Sequence, residues 1–315
     1  MAARVSVVIP TLNESAHIEA CLRSVLAQEV PGGLEVLVVD GLSSDGTGEL
    51  AEQLGARVIR NENRGIPGAL NLGLAEAQGE IVVRFDGHAE MPPGYVQACV
   101  RALEEEEAAA SVGGWREARG AGPWGRALSA ALASPFGVGH PLIWRRPRDP
   151  ARREVEHVPL GCFRVETLRA VGGWREDLLS NEDFELDHRL RAAGGRVVFD
   201  PEIWSIYRPR ESLGAIARQY WRYGNWKARV LVDSPRSLRP RQLAPPALLA
   251  TAALSVLPTP LRRPARAALG AYGGVLAATA VRSQAGWRTA PVLAAMHGAW
   301  GYGLVAGLAR ELRRS

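Results

Sequence analysis

The chain has 315 residues, 47% of them hydrophobic, so it is not intrinsically disordered and can form one large domain with an appendage, or two domains. Its formal net charge of +5 is unevenly placed: from Arg236 onward Glu311 is the only acidic residue among many arginines, which favours an anionic membrane surface as a partner. Nucleic acid is excluded as an expected partner, because no compact basic and aromatic motif is present. The three cysteines, Cys21, Cys99 and Cys162, form no CxxC pair and are expected to be buried in a reducing compartment.

The first hundred residues alternate strands with helices. The predicted elements are, in chain order, strand Val5–Pro10, a helix capped by Ser15, strand Glu35–Val39, helix Asp45–Leu54, strand Arg57–Arg60, helix Pro67–Ala77 and strand Ile81–Phe85. This alternation predicts a parallel sheet with right-handed β/α connections. The chain reaches its first strand without a signal-peptide segment, so we expect this part in the cytoplasm.

The middle of the chain has a different composition. Residues 111–160 are rich in Gly, Pro, Trp and Arg and are predicted to be loops with short elements. Four aromatic residues interleaved there indicate an ordered lobe that faces a ligand: Trp115, Trp124, Phe136 and Trp144. The helices and strand predicted around this lobe are Pro92–Glu107, Glu182–Ala192, Arg196–Phe199 and Leu213–Val230.

The C-terminal part is apolar and basic. Three apolar stretches follow Arg239, namely Leu243–Leu261, Ala267–Val281 and Ala290–Ala309. The last alone reaches the roughly 20 residues that span a bilayer. Two glycine pairs have the small-xxx-small spacing of close helix packing in lipid, Gly270/Gly274 and Gly303/Gly307. A soluble helical subdomain is the alternative, and the number of spans stays open because the connecting loops are all basic. We divide the chain at residues 1–235 and 236–315.

Polar residues follow the predicted strands where each strand ends. Asp40 and Asp86 come directly after two of them. In open α/β sheets ligands bind at this edge, and a carboxylate there suits a divalent cation that carries a nucleotide diphosphate. Asp40 is expected to accept hydrogen bonds from a base imide or a ribose hydroxyl, whereas Asp45 is assigned to the start of the next helix.

Two further segments each allow two interpretations. The acidic residues of Asn181-Glu182-Asp183 can favour the N-terminus of the following helix, or supply a general base for an attacking hydroxyl. The aromatic residues of Gln219–Tyr223 can be core residues, although Arg222 suits stabilisation of a departing diphosphate.

Together these segments resemble the family 2 inverting glycosyltransferases of the GT-A fold. The segments that carry the resemblance are Val5–Glu14, Val38–Thr47, Asn63–Gly79, the Asp86 loop, Asn181–Asp183 and Gln219–Tyr223. The membrane-associated branch typified by the succinoglycan-biosynthesis glucosyltransferases is similar in further segments: Phe85–Ala89, Ser134–Gly139, Val158–Arg164 and Arg218–Lys227. The resemblance implies an α/β fold with a Rossmann-like, mostly parallel sheet, helices on both faces and an apolar helical C-terminal region.

The resemblance also implies roles for individual residues. Those that would hold the nucleotide, expected to be a uridine diphosphate, are Pro10, Thr11, Asn13, Glu14 and Asp40. Asp86 and His88 would bind a divalent cation, Mn²⁺ or Mg²⁺, that bridges the diphosphate. Asp183 would be the catalytic base with Glu182 beside it. The residues that match the family's QxxRW-like motif, with Tyr in place of Trp, are Gln219, Arg222 and Tyr223, and they would lie by the diphosphate and the acceptor.

Two positions depart from the family pattern. His88 replaces the second acidic residue of a DxD motif, and its imidazole would favour Mn²⁺ over Mg²⁺ more than an all-carboxylate site would. Leu70 stands where many relatives have a basic residue, which would leave the phosphates with less cationic cover.

The sequence therefore predicts a glycosyltransferase at the cytoplasmic face of the membrane. It would transfer a sugar from a nucleotide-diphosphate sugar to a saccharide acceptor, expected to be lipid-linked, in exopolysaccharide or cell-wall biosynthesis. A processive polysaccharide synthase is disfavoured because the chain lacks the many strong spans of an export channel. A non-catalytic nucleotide-sugar-binding or scaffold protein would bind the donor without turnover. A soluble nucleotidyltransferase would leave Asn181–Asp183 without a role.

Overall fold

The computed structural model describes residues 4–63, 65–138, 141–178 and 180–313. The strands are β1 (Val5–Thr11), β2 (Leu34–Asp40), β3 (Arg57–Arg60), β4 (Ile81–Arg84), β5 (Ala89–Glu90), β6 (Ala109–Ala118), β7 (Arg153–Glu154), β8 (Cys162–Arg164) and β9 (Arg196–Tyr207). The helices are α1 (Ile18–Leu26), α2 (Thr47–Gln53), α3 (Ile66–Glu76), α4 (Tyr95–Glu105), α5 (Pro123–Ala133), α6 (Pro141–Trp144), α7 (Val165–Ala170), α8 (Glu182–Ala192), α9 (Leu213–Asp233), α10 (Ala244–Val256), α11 (Arg262–Arg282) and α12 (Thr289–Glu311). Short 3₁₀ helices lie at Pro235–Ser237, Pro240–Leu243 and Gly286–Arg288.

The strands form one mixed sheet in the order β3-β2-β1-β4-β8-β6-β9-β5, with β7 beside β9. The first four strands in this order are parallel to one another, as the alternation of strands and helices predicts. The prediction of a mostly parallel sheet holds for this half. Beyond it, β8 pairs antiparallel with β4 and β6, and β9 pairs antiparallel with β5 and β7.

Each central parallel strand is buried on both faces because its side chains alternate between two apolar layers. In β1, Val7 and Ile9 pack in the layer that contains α1 and α4, whereas Val8 packs in the layer that contains α3, α7 and α8. Helices therefore cover both faces, as predicted. Leu70 lies fully buried in the second layer. Its side chain belongs to the core, and the expectation that the phosphates have less cationic cover here stays a prediction.

Helix α3 lies close to β1 because Gly73 has no side chain. A Cβ built at Gly73 would lie 3.1 Å from Cγ2 of Val8 and nearer still to Cγ1. Gly68, on the same helix, would meet nothing nearer than 3.6 Å.

We expect Gly73→Ala to lower the free energy of unfolding by about 1–3 kcal/mol, because α3 or Val8 must move to admit the methyl group. Gly68→Ala is the matched control, and it should leave stability unchanged or raise it by up to about 1 kcal/mol, since alanine favours a helix over glycine. Urea unfolding followed by circular dichroism measures both. Equal destabilisation by the two variants would contradict the close packing.

The middle of the chain contains more regular structure than the sequence predicts. Residues 111–160 were expected to be loops with short elements, whereas most of the ten-residue strand β6 and the eleven-residue helix α5 lie there. Strand β9 also runs to Tyr207, beyond the predicted end at Phe199. The three cysteines are buried and free, as expected.

The chain forms two compact units. One comprises residues 1–117 and 142–207, and the other comprises 118–141 and 208–315. In the second unit α12 packs on α9, α10, α5 and α11. The boundary at residue 235 was drawn from composition and stays a prediction about which part carries catalysis.

Glycines bring α9 and α12 together in the second unit. A Cβ at Gly303 would lie 2.9 Å from the backbone nitrogen of Asn225, and one at Gly307 would lie 2.6 Å from the Asn225 carbonyl oxygen. The small-residue spacing of this pair therefore marks a helix contact. A Cβ at Gly270 or Gly274 would meet nothing within 4 Å, so the same spacing marks no contact in α11.

Among the described residues, one helix is long and apolar enough to cross a membrane, Gly286–Glu311, with a mean hydropathy of 1.3 in its most apolar window. This segment contains the third predicted apolar stretch. Helix α10, which occupies the first stretch, has 13 residues and is shorter than the roughly 20 that a span needs. One face of the long helix is covered, because Val292, Leu293 and Met296 are buried within the second unit.

Candidate active site

The ends of β1 and β2 are joined by a hydrogen-bond network around Asp40. Its Oδ1 accepts from the Thr11 hydroxyl at 3.1 Å, and its Oδ2 accepts from the Ser43 backbone N–H at 2.8 Å. The Ser43 hydroxyl in turn accepts from the backbone N–H of Asn13 at 2.8 Å. Asn13 and Leu42 both have a φ near +60°, which residues other than glycine adopt rarely. This network holds the two loops in a fixed shape at the carboxyl edge of the sheet.

Asp45 has the structural role that the sequence predicts. Its carboxylate accepts from the Thr47 hydroxyl at 2.5 Å, the Thr47 backbone N–H at 3.2 Å and the Ser15 backbone N–H at 3.0 Å. These hydrogen bonds, that from the Thr47 side chain first, lower the pKa of Asp45 to about 2. The carboxylate thus joins the start of α2 to the loop after β1, whereas Pro10 lies within β1 and pairs with Val39.

Asp86 is held by two guanidinium groups. Its Oδ2 accepts from Arg116 at 2.8 Å and its Oδ1 lies 3.5 Å from Nη2 of Arg84. Burial opposes ionisation of Asp86, but the two arginines outweigh burial and keep its pKa well below the ordinary value. Asp86 is therefore an ionised carboxylate at the end of β4.

Arg116 is fixed between aromatic rings. Its guanidinium carbon lies 4.7 Å from the ring centre of Tyr207 and 5.7 Å from that of Trp144. Cation–π contacts of this kind restrain a guanidinium without neutralising it. The arginine therefore supplies fixed positive charge beside Asp86, where a diphosphate would need it. Trp144, one of the aromatic residues expected to face a ligand, lies at this site.

His88 is oriented by Glu14. The Nδ1 of His88 lies 3.0 Å from Oε1 of Glu14, and its ring packs edge-on against Tyr207 at 5.7 Å. A carboxylate on Nδ1 selects the tautomer that leaves the Nε2 lone pair for a ligand.

The residues present fit a divalent cation that takes most of its ligands from elsewhere. In the described ranges, no group of three or more His, Cys, Asp or Glu side chains is arranged to hold a metal ion. Asp86 offers one carboxylate and His88 one imidazole nitrogen, and a cation that carries a diphosphate completes its shell with phosphate and water oxygens.

Glu182 and Asp183 begin α8 and share Arg84 with Asp86. The Nη2 of Arg84 donates to Oε1 of Glu182 at 3.1 Å, and its Nη1 donates to Oδ2 of Asp183 at 3.2 Å. Burial, and next the negative charge of Asp183, raise the pKa of Glu182 to about 7. Burial opposes ionisation of Asp183 too, but His157 and Arg84 together lower its pKa below the ordinary value. Asp183 is the ionised carboxylate of the pair, and its side chain is 32% exposed against 6% for Glu182.

His157 lies beside Asp183, at the same carboxylate oxygen that Arg84 contacts. Its Nδ1 lies 2.8 Å from Oδ2 of the buried Asp187, and its Nε2 lies 3.6 Å from Oδ2 of Asp183. Asp187 is one helical turn beyond Asp183, so both carboxylates are on the same side of α8 and can contact one imidazole.

The QxxRW-like residues lie on α9 in the second unit. The amide of Gln219 donates to the Tyr223 hydroxyl at 2.9 Å, so these two residues lie together. Tyr223 packs edge-on against Tyr220, and Arg222 is exposed. Their roles by the diphosphate and acceptor stay predictions.

Sequence reasoning missed Arg84, Arg116 and His157. Arg84 carried a signal, because it is a charged residue in the otherwise apolar run Ile81–Phe85, and a buried charge needs partners. Arg116 and His157 lie in the segment that was expected to be loops, where the sequence gives no register to place them.

Comparisons with known proteins found relatives in sequence and in fold. The family model for glycosyl transferase family 2 matches residues 6–167. Succinoglycan biosynthesis protein ExoA of Rhizobium meliloti (strain 1021) is 32% identical over 324 aligned residues, which cover 97% of this chain and 94% of that protein. Among solved structures, the mannosyltransferase PcManGT from Pyrobaculum calidifontis, in complex with GDP-Man and Mn²⁺, is similar with a TM-score of 0.63 at 24% identity, over 95% of this chain and 88% of that one. GalNAc-T7 with UDP, GalNAc and Mn²⁺ is similar over 71% of this chain and 47% of that one, with a TM-score of 0.51 at 19% identity.

Proposed function

This chain belongs to glycosyl transferase family 2, and we propose that it is an inverting enzyme that transfers a sugar from a UDP-sugar to a hydroxyl of a lipid-linked saccharide. The GT-A fold and the resemblance to the succinoglycan-biosynthesis branch, both predicted from the sequence, are confirmed. The chain is a glycosyltransferase of polysaccharide biosynthesis.

One observation carries the proposed site: a single buried side chain, Arg84, contacts both Asp86 and Asp183. Asp86 is the residue expected to meet the donor diphosphate, and Asp183 is the expected base. Although the two are far apart in the sequence, both contact one guanidinium, Asp86 at Nη2 and Asp183 at Nη1. The donor and acceptor ends of a transfer reaction can therefore meet beside them.

In this proposal the sugar moves by in-line displacement. Asp183 accepts the proton of the acceptor hydroxyl while that oxygen attacks the anomeric carbon, and the bond to the diphosphate breaks on the opposite face. Arg116 offers positive charge to the departing diphosphate, and Glu182 holds Arg84 against Asp183. A divalent cation held by Asp86 and His88 would neutralise diphosphate charge when bound. The nucleotide is held by residues at the ends of β1 and β2 and in the loop after β1: Pro10, Thr11, Asn13, Glu14 and Asp40.

The C-terminal region supports a place at the membrane. Large apolar side chains are exposed immediately before a basic pair: Val256 is 71% exposed and Leu261 is 55% exposed, and Arg262 and Arg263 follow. Apolar residues beside arginines suit the headgroup boundary of an anionic membrane. We propose that this region holds the enzyme at the cytoplasmic face of the membrane, near a lipid-linked acceptor.

We expect membranes that contain the protein to transfer sugar from one of a panel of UDP- and GDP-sugars to a lipid extract, and chelation by EDTA to abolish transfer. Added Mn²⁺ should restore the rate more fully than Mg²⁺, because His88 supplies a nitrogen ligand. His88→Asp is the matched variant and should reduce the preference for Mn²⁺. Cation-dependent binding of UDP without transfer or hydrolysis of any donor would instead indicate a nucleotide-sugar-binding protein.

A further inference from the structure

His157 lies between two carboxylates of α8. Its Nδ1 is within hydrogen-bond distance of Asp187, at 2.8 Å, and its Nε2 faces Asp183 at 3.6 Å. The Asp187 side chain is 2% exposed, and the His157 side chain is 19% exposed. The ring of Phe184 packs edge-on against the imidazole at 5.9 Å.

Asp187 fixes which nitrogen of His157 carries the proton. Its Oδ2 also accepts from the backbone N–H of Val158 at 3.1 Å, so the carboxylate is bound to the residue that follows the histidine. An ionised acceptor at Nδ1 favours the tautomer with hydrogen on Nδ1. Nε2 then presents its lone pair to Oδ2 of Asp183.

We propose that His157, oriented by Asp187, is a positioning residue for Asp183 and receives at Nε2 the proton that Asp183 takes from the acceptor hydroxyl. This inference rests on the proposed function. The acceptor O–H bond and the bond from the anomeric carbon to the diphosphate break, and the glycosidic bond forms. The proton passes from Asp183 to Nε2, so that both carboxylates end ionised around an imidazolium. Water then removes the proton when the products leave.

The charges around the two groups favour this direction of transfer. Burial opposes charge on His157, but Asp183 and Asp187 outweigh it and raise the pKa of His157 above its ordinary value. Arg84, which faces the histidine from β4, opposes that rise. The pKa of Asp183 is lowered. A proton on Asp183 therefore moves to His157 with a favourable free energy, provided that His157 is neutral when the cycle starts.

The proposal predicts the sign of the pH dependence. The turnover number should fall about tenfold for each pH unit below the pKa of His157, because the imidazolium cannot accept the proton. In His157→Gln the amide can still donate to Asp187. The turnover number of this variant should no longer fall at low pH, so the acid limb of the pH profile is lost. At its plateau the turnover number should be about 10–100-fold lower than that of wild type. Asp187→Asn should move the limb to lower pH, because loss of a carboxylate lowers the pKa of a neighbouring imidazole. His188→Gln is the control, because His188 lies on α8 with Asp183 and Asp187 but has no role in the proposal. It should change neither the acid limb nor the plateau value of the turnover number.

A titration by NMR of the histidine rings measures the pKa of His157 without turnover. The His157 signals are assigned by their loss in His157→Gln, and we expect their midpoint above about 6.5 in wild type and lower in Asp187→Asn. Thermal unfolding checks that each variant folds. An acid limb that persists in His157→Gln, or a wild-type turnover number that rises as pH falls, would overturn the proposal. If wild type transfers sugar from no donor, the proposed function fails and the proton transfer with it, whereas a raised His157 pKa in the NMR titration would stand.

Discussion

Asp183→Asn should lower the turnover number for sugar transfer by about 10²–10⁴-fold, the range that a general base contributes. The amide keeps the size of the carboxylate, and its single oxygen can still accept either from the Phe184 backbone N–H or from Arg84, which contact the two different oxygens of Asp183 at 2.8 and 3.2 Å. It cannot take up a proton. Donor binding should therefore stay close to wild type, because the loss concerns the chemical step and not the ground state.

Initial rates with the donor identified in the screen, together with calorimetric affinity for the nucleoside diphosphate and Mn²⁺, separate binding from turnover. Asp177→Asn is the matched control, since Asp177 is an exposed carboxylate that pairs with Arg175 at 2.5 Å in the loop before α8. It should leave both quantities unchanged. Wild-type turnover in Asp183→Asn would assign the base to another residue.

The parallel half of the sheet could be predicted because its strands and helices are determined by short local patterns in the sequence. Strands β1, β2 and β4 are short apolar runs buried on both faces, and the helices between them carry apolar residues at the helical period. The strand ends then place Asp40 and Asp86 at one edge without any knowledge of distant contacts.

In the antiparallel half the start of β9 was predicted, at Arg196–Phe199, but the other strands were not, because they depend on distant neighbours. Strand β6 contains Gly113 and Gly114, which weaken the strand signal in the sequence. A Cβ at Gly114 would collide with the backbone of β9 at Ile203. Gly114 therefore weakens the strand signal of β6 in the sequence and also allows β9 to lie close to β6. Arg116 and His157 are positioned by the strands of this half, so their places beside Asp86 and Asp183 could be found only from the structure.

Arg84→Met should lower the free energy of unfolding by about 3–5 kcal/mol, the cost of leaving buried charges without their partner. Arg84 is 8% exposed and contacts Glu182, Asp86 and Asp183, of which Glu182 is the least exposed at 6%. Methionine can fill part of the volume but donates no hydrogen bond. The three carboxyl groups then lose the guanidinium that they share, although Asp86 keeps that of Arg116, and their repulsion adds to the cost of burial.

The double variant Arg84→Met/Glu182→Gln should recover part of this loss, because it removes the most buried of the three acids. Arg23→Met is the control: Arg23 pairs with Glu19 at 2.8 Å on the surface of α1, and an exposed pair of this spacing contributes about 0.3–0.5 kcal/mol. Urea unfolding followed by near-ultraviolet circular dichroism compares the three proteins with wild type. If the urea midpoint of Arg84→Met were as close to that of wild type as the midpoint of Arg23→Met is, burial of the three carboxyl groups would not depend on Arg84. A large loss with recovery in the double variant would mean that one arginine both stabilises the fold and holds the proposed base in place.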